Sequence, residues 1–109
     1  MASKTGDQNI MGALAYFFTF ISGIVFLLIE KKNPFVRFHA MQSTITFGGL
    51  FIIYLIAGFL PGINGILLPV LWVVMVVLWV FLMFKAFSGE MYKLPIVGDI
   101  AEKQLAKMK

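Results

Sequence analysis

The sequence predicts an all-α integral membrane protein with three transmembrane helices. Apolar residues make up 61% of the 109-residue chain, and charged residues only 13%, about half the share found in soluble domains. A chain of this length buries only about two-thirds of the surface that its unfolded form exposes. The remaining apolar surface therefore needs lipid as its solvent.

The first apolar run, Ile10–Ile29, is predicted to be the first span. At 1.5 Å per residue it would be about 30 Å long as a helix, which matches the hydrocarbon core of a bilayer. Asp7 and Asn9 precede it as candidate caps. The run is longer than the apolar region of a usual signal peptide, and charge follows it instead of a cleavage site. A span is therefore favoured over a signal peptide.

The second and third spans are predicted to form a hairpin. Asn33 and Pro34 have the pattern of a helix cap followed by proline at the first helical position, and the membrane part of this helix is placed at about residues 40–60. The sequence PGING at 61–65 is a dense turn signal, and the third span follows at about 66–84. An alternative left open is that the region after the turn forms an irregular re-entrant dip, with the helix starting at Pro69.

The tail, at about residues 95–109, is predicted to be a short amphipathic segment. After Pro95 its apolar residues recur at helical spacing. Such a segment can lie flat on an anionic leaflet or pack on the loops of its own protein. The apolar residues of this pattern are Val97, Ala101, Leu105 and Met108.

Basic residues predict the orientation, because short loops rich in Lys and Arg stay in the cytoplasm. Lys31, Lys32 and Arg37 follow the first span, and Lys85 begins a second basic group that follows the third. Three spans place both groups on one side and leave only Lys4 on the other. The prediction is a multi-pass protein of the cytoplasmic (inner) membrane with its N-terminus outside and its C-terminus in the cytoplasm.

Four polar residues at the start of the second span form a candidate interhelical site: His39, Gln42, Ser43 and Thr46. His39, Gln42 and Thr46 share one helix face, and a polar group at membrane depth is expected to face protein or water. One interpretation is a small polar pocket that responds to protons through the histidine. The other is interhelical hydrogen bonding.

Two further sets of residues are predicted to make local contacts. Glu30 and Arg37 are a candidate ion pair across the short loop, although Glu30 also has lysines beside it and exposed pairs contribute little. Small residues at four-residue spacing predict close packing of the first two helices. These are Ala15, Thr19 and Gly23 on the first helix, and Ala40, Thr44 and Gly48 on the second.

No pattern typical of an enzyme is found, and no cofactor or metal is expected. One histidine and no cysteine cannot complete a metal shell, and the five acidic residues are too dispersed for a catalytic pair. The phosphate-binding patch of a nucleic-acid-binding protein is missing as well. The expected partners are a bilayer with anionic headgroups and either other membrane subunits or further copies of the chain.

Two loop motifs carry a resemblance to a known group. They are IEKKNPFVRFHAMQS at 29–43 and KAFSGEMYKLPIVGDI at 85–100. With the double span between them, the chain resembles small prokaryotic membrane proteins of undefined function that are related to the twenty-kilodalton chloroplast inner-envelope import component. The matching positions are His39, Gln42 and Ser43 in the first motif, and Gly89, Tyr92 and Pro95 in the second.

The resemblance implies a helical membrane protein that assists protein translocation or assembles with other membrane subunits. The chloroplast component is longer and usually described with four spans, whereas three are counted here. Taken together, the sequence favours a non-enzymatic structural or accessory component of a membrane assembly. The alternative is a homo-oligomeric minimal channel or transporter, lined by the face that carries His39, Gln42 and Thr46.

Overall fold

A computed structural model describes residues 5–108, with side chains from Asp7 onward, and within this range the chain forms five α-helices and no strand. Two of these helices, α3 and α4, are long and apolar enough to cross a membrane, each about 36 Å in length. The all-helical prediction is thereby confirmed. The helices are α1 (Thr5–Phe17), α2 (Phe20–Ile29), α3 (Pro34–Ala57), α4 (Asn64–Phe87) and α5 (Val97–Lys107).

Helix α3 begins as its sequence predicts. Asn33 Oδ1 accepts hydrogen bonds from the amides of Phe35 at 2.9 Å and Val36 at 3.2 Å, and Pro34 occupies the first helical position. These bonds satisfy amides that have no partner within the helix. The chain then turns between Gly58 and Ile63, where Gly62 has a φ of +88° that glycine adopts easily. Helix α4 continues through Pro69 without a break.

The first apolar run differs from its prediction, because it forms two helices that meet at Phe18 and Thr19. Thr19 has a φ of +55°, which a helix cannot accommodate. Ser22 Oγ accepts from the Phe18 amide at 2.9 Å and donates to the Ala15 carbonyl at 3.0 Å. A side chain that bonds to the backbone in this way offers the turn an alternative to helical hydrogen bonds.

Helices α1 and α2 fold back on each other as a hairpin. Asn33 Nδ2 donates to Gln8 Oε1 at 3.0 Å, whereas one continuous helix between these residues would separate them by about 37 Å. At the other end of the hairpin, Ser43 Oγ donates to the Thr19 carbonyl at 2.7 Å. The structure therefore does not contain the single continuous span predicted over Ile10–Ile29. Both ends of this run lie at the start of α3.

The buried core lies at this same end of the molecule. One cluster joins α1, α3 and α4 through Tyr16, Phe47, Leu82 and Ala86. Another joins the α1–α2 hairpin to α3 and α5 through residues that include Leu27, Phe38, Met41 and Ala101, with Leu105 packed against them. We call this packed part of the molecule the base; it comprises residues 5–47 and 78–108.

The remainder, residues 48–77, is an apolar hairpin that we call the arm. Its large apolar side chains are mostly exposed, with Phe59 at the turn 84% exposed and Ile66 75% exposed. No charged residue occurs between Arg37 and Lys85, so every charged side chain of the described chain lies in the base. The long axis of the molecule measures 50 Å. An exposed apolar surface of this extent fits a lipid environment.

Candidate functional site

A buried polar network in the base connects α1 to α3. The hydroxyl of Tyr16 lies 2.7 Å from His39 Nδ1, and Gln42 Nε2 donates to that hydroxyl at 2.9 Å. All three side chains are fully buried. Burial of such polar groups without partners would be costly, so the bonds between them are a condition for packing these helices.

The segment between α4 and α5 completes the network with three backbone groups. His39 Nε2 lies 2.9 Å from the Glu90 carbonyl, Gln42 Nε2 donates to the Tyr92 carbonyl at 2.9 Å, and the Leu94 amide donates to Gln42 Oε1 at 2.9 Å. These bonds join α3 to a segment that lies about fifty residues further along the chain. The network fixes this irregular segment against α3 and, through Tyr16, against α1.

The partners allow one consistent assignment of the hydrogens. A carbonyl only accepts, so His39 Nε2 must carry a hydrogen and donate it to Glu90. Nδ1 of the neutral ring then accepts from Tyr16, whose oxygen accepts in turn from Gln42. If His39 Nδ1 were also protonated, it could no longer accept a hydrogen bond. The hydroxyl hydrogen of Tyr16 would then have no acceptor. This arrangement favours structural hydrogen bonding over the proton-responsive pocket.

The other two residues of the predicted site lie further along α3. Ser43 donates to the carbonyl of Thr19 and so holds the turn of the α1–α2 hairpin. Thr46 is buried one turn beyond Gln42 and lines an apolar groove with Ile45 and Gly49. Three of the four residues thus contact the α1–α2 hairpin, whereas the buried hydroxyl of Thr46 takes no part in the network.

Arg37 lies near Glu30, and its guanidinium donates to backbone carbonyls. The guanidinium Nη1 donates to the carbonyls of Glu30 at 2.6 Å and Leu27 at 3.2 Å. These are end carbonyls of α2, where a positive charge is favourable. The Glu30 carboxylate accepts from the amides of Lys32 and Asn33, both at 3.1 Å. A side-chain ion pair between Glu30 and Arg37 stays a prediction.

Of the small residues predicted to pack, the two glycines lie where α2 and α3 meet. Gly23 is buried against α3, where an added Cβ would lie 2.7 Å from both the Ala40 carbonyl oxygen and Thr44 Oγ1. At Gly48 an added Cβ would lie 3.7 Å from Phe20, an ordinary contact distance. Ala15 is fully buried on α1, and Thr19 forms the hairpin turn. The two glycines therefore have different roles.

We expect Gly23→Ala to lower the free energy of unfolding by about 1–3 kcal/mol, because the new methyl group collides with backbone that cannot move cheaply. Gly48→Ala is the matched control, since it adds the same group to a helix with room for it. It should raise the free energy by up to about 1 kcal/mol through helix propensity. Both values are measured by unfolding in mixed micelles. Equal effects at the two sites would contradict the close approach of α2 and α3.

Two residues of the site were not predicted from sequence. Tyr16 is the central hydroxyl of the network, and Trp79 Nε1 donates to the carbonyls of Tyr16 at 2.8 Å and Phe17 at 3.1 Å, at the end of α1. A tyrosine inside an apolar run was an available signal, because a buried Tyr hydroxyl needs a partner. The contact of Trp79 depends on α1 running beside α4, which no local pattern reveals.

The second resemblance motif lies in the segment that closes the network. Gly89 has a φ of +86° and packs against Asn9 of α1, where an added Cβ would lie 3.1 Å from the side-chain Nδ2 of Asn9. The carbonyl of Tyr92 accepts from Gln42, and Pro95 lines the apolar groove with Thr46. Within residues 5–108, no group of three His, Cys, Asp or Glu side chains is placed to hold a metal ion.

Comparison with known proteins identifies relatives that match most of the chain. A family described as the magnetosome magnetite crystal formation protein family matches residues 7–101. An "UPF0132 membrane protein" of Archaeoglobus fulgidus is 48% identical over 98 residues, which cover 90% of this chain and 95% of the relative. A protein of the same description from Methanocaldococcus jannaschii is 46% identical over 97 residues, covering 89% and 87%. No solved structure matches the chain significantly.

These matches support a small prokaryotic membrane-protein family and do not show a relation to the chloroplast import component. The matches cover 95% and 87% of these two archaeal relatives, both of which are described as membrane proteins. The chain belongs to the magnetosome magnetite crystal formation protein family, among relatives that include archaeal UPF0132 membrane proteins.

Proposed function

We propose that this membrane protein is a non-enzymatic structural component that shapes its bilayer by occupying more area in one leaflet than in the other. The observation that carries the proposal is the fold-back of α1 and α2 beside the first half of α3. The base then contains α1, α2 and α5 together with one end each of α3 and α4, whereas the arm contains only the rest of α3 and α4.

The depth of the α1–α2 hairpin supports insertion into a single leaflet. Its turn contacts Ser43, and Phe20 packs on α3 near Gly48 and Phe51, with 5.4 Å between the ring centroids of Phe20 and Phe51. Gly48 lies about 20 Å along the helix from Pro34. Allowing for a first turn among the headgroups, this depth is about half of a hydrocarbon core of about 30 Å.

The outer surface of the hairpin is suited to lipid. Phe18, Ile21 and Leu28 are all exposed, and residues 10–29 carry no charge. Two helices, each about 10 Å in diameter, add roughly 160 Å² to one leaflet. Expansion of one leaflet alone favours bending toward the other. Helix α5, which is amphipathic and packs in the base, adds to the same side.

The charges assign the base to the cytoplasmic leaflet in this proposal. The described lysines and Arg37 all lie in the base, and short basic segments stay in the cytoplasm. Because α1 begins at the same end as α3, the described N-terminal end of the chain is also placed on the cytoplasmic side. This differs from the predicted outside N-terminus, which followed from counting three complete spans; Lys4, the one basic residue that prediction left on the outer side, lies outside the described residues.

The network argues against the channel alternative. His39 and Gln42 are fully buried and use their polar atoms in bonds to α1 and to the segment before α5, so they do not offer a polar lining to a pathway. Association with other membrane subunits or with further copies stays part of the proposal. The exposed arm is the surface available to such a partner within the bilayer.

A reconstitution experiment tests the membrane-shaping role. Purified protein in vesicles should convert smooth membranes into tubules or small highly curved vesicles, seen by electron microscopy at increasing protein-to-lipid ratio. Phe18→Lys should abolish most of this remodelling, because a charge near the bilayer midplane costs about 3 kcal/mol and draws the hairpin turn toward water.

Phe87→Lys is the matched control, since Phe87 is also exposed but lies at the polar end of α4 beside Lys85. This variant should remodel vesicles as the unmodified protein does. Vesicles that stay smooth with correctly inserted protein, or equal remodelling by both variants, would refute the proposal.

A further inference from the structure

A cleft of about 630 Å³ opens in the base between the α2–α3 loop, the start of α3 and α5. Three cationic side chains line it: Lys31, Lys32 and Arg37. The rest of its wall is mainly apolar and includes Phe38 and Leu105. Positive charge next to an apolar wall is the combination expected for an amphiphile with an anionic head.

The cations differ in how they are held. Arg37 is fixed in place by its bonds to the carbonyls of Leu27 and Glu30, so little side-chain freedom is lost when it meets a ligand. Lys31 and Lys32 are exposed on the loop and are free to follow a headgroup. A fixed guanidinium with two mobile ammonium groups is well suited to a phosphate.

One acidic residue, Glu102, also lines the cleft, but it has a cation of its own. Lys93 Nζ lies 2.7 Å from Glu102 Oε1 and 3.6 Å from Asp99 Oδ1. The hydrogen bond to Glu102 raises the pKa of Lys93 above its ordinary value, so the ammonium stays charged. The positive charge of the three cleft cations is therefore not cancelled by Glu102.

The cleft lies where a headgroup would lie. Asn33 and Pro34 mark the polar start of the membrane helix α3, and the apolar wall at Phe38 and Leu105 is about one turn deeper along α3. We propose that this cleft binds the phosphate group of an anionic phospholipid of the cytoplasmic leaflet, with the start of an acyl chain against its apolar wall. This site rests on insertion of the α3–α4 hairpin and does not require that the protein bend membranes.

Phosphatidylglycerol is the probe, titrated into micelles that contain the full chain and followed by native mass spectrometry. Replacing both loop lysines, Lys31→Gln with Lys32→Gln, should weaken binding roughly thirtyfold, since each lysine near an anionic surface contributes about a factor of five. The matched control is Lys103→Gln with Lys107→Gln. It removes the same charge from exposed positions of α5 that do not line the cleft, and binding should change less than twofold.

A second variant tests the cleft without changing charge. Ala106 lines the cleft and is exposed, so Ala106→Trp should fill the space with little effect on folding and weaken phosphatidylglycerol binding by at least about tenfold. Phosphatidylcholine should bind weakly to every variant. Equal losses in the two lysine pairs would overturn the site in favour of general surface attraction.

Inorganic phosphate separates a lipid from a free ion. The lipid assignment is wrong, and the cations bind a free anion, if two results are found together: millimolar phosphate displaces phosphatidylglycerol, and Ala106→Trp leaves the affinity for phosphatidylglycerol unchanged. The result is independent of vesicle remodelling, because a protein that leaves membranes smooth can still show selective loss in the cleft variants, and the reverse also holds.

Discussion

Single cysteines introduced at Asp7 and Ser88 are expected to react with a membrane-impermeant maleimide from the same side of the membrane, and one at Phe59 from the opposite side. The chain has no cysteine of its own, so each label reports one position. All three side chains are exposed. The outcome is all-or-none for each site, which makes it the largest effect expected for this protein.

The reason is the fold-back of α1 and α2. Asp7 lies next to Gln8, which accepts a hydrogen bond from Asn33 at the start of α3. Ser88 lies beside Gly89, which packs on Asn9. Both positions are therefore at the polar end of the base, whereas Phe59 lies at the far turn of the arm. Three complete spans would instead place Asp7 with Phe59.

The control for this experiment is labelling after the membrane is made permeable, when all three cysteines should react. Ser88 serves as the internal reference, because both topologies place it on the cytoplasmic side. If the cysteine at Asp7 reacts from the same side as that at Phe59, the first run crosses the membrane. The one-leaflet proposal then fails with it.

Gln42→Leu is expected to lower the free energy of unfolding by about 3–5 kcal/mol. The substitution keeps the approximate volume but removes the groups that bond to Tyr16, Tyr92 and Leu94. Each buried group left without its partner costs about 1–3 kcal/mol. The loss is measured by unfolding in mixed micelles.

Thr46→Val is the matched control on the same helix. Thr46 is also buried, but its hydroxyl has no hydrogen-bond partner within the described part of the chain. The isosteric change should alter the free energy of unfolding by less than about 0.5 kcal/mol, or raise it slightly, because no bond is lost. A small effect of Gln42→Leu, or an equal effect of both changes, would show that the network does not hold the base together.

Several elements of the fold were evident in the sequence because their causes are local. Asn33 followed by Pro34 predicts the start of α3, and its bonds to the next amides are within three residues. The PGING signal predicts the break between the two apolar helices, although the turn begins earlier than predicted, at Gly58, and Asn64 and Gly65 already belong to α4. The amphipathic spacing after Pro95 predicts a helix in the region where α5 is found. Each of these signals is read within a few residues.

The α1–α2 fold-back has no such local signal. Phe18 and Thr19 include neither proline nor glycine, and the apolar run is as long as a membrane span. The left-handed backbone of Thr19 is unfavourable for a β-branched residue. It is accompanied by bonds from Ser22 nearby and from Ser43 on α3. The Ser43 contact depends on which helices lie side by side.

The candidate site also has a part that local sequence predicts and a part that depends on tertiary contacts. Helical spacing placed His39, Gln42 and Thr46 on one face, but the structure gives Gln42 a network and Thr46 an apolar groove. The difference arises from the hydroxyl of Tyr16 and from the backbone groups of Tyr92 and Leu94, which form hydrogen bonds with Gln42 and not with Thr46. Periodicity specifies the face of a helix and carries no information about the groups opposite each turn.

By itself the sequence determined that this protein is helical, belongs with lipid and keeps its charges away from the middle of the chain, because composition and hydrophobic pattern act locally. Only the tertiary structure decided that the first apolar run turns back at Thr19 and that Tyr16 meets His39 and Gln42. The physical reason is that both depend on hydrogen bonds between residues more than twenty positions apart, whose partners are brought together by the packing of the helices.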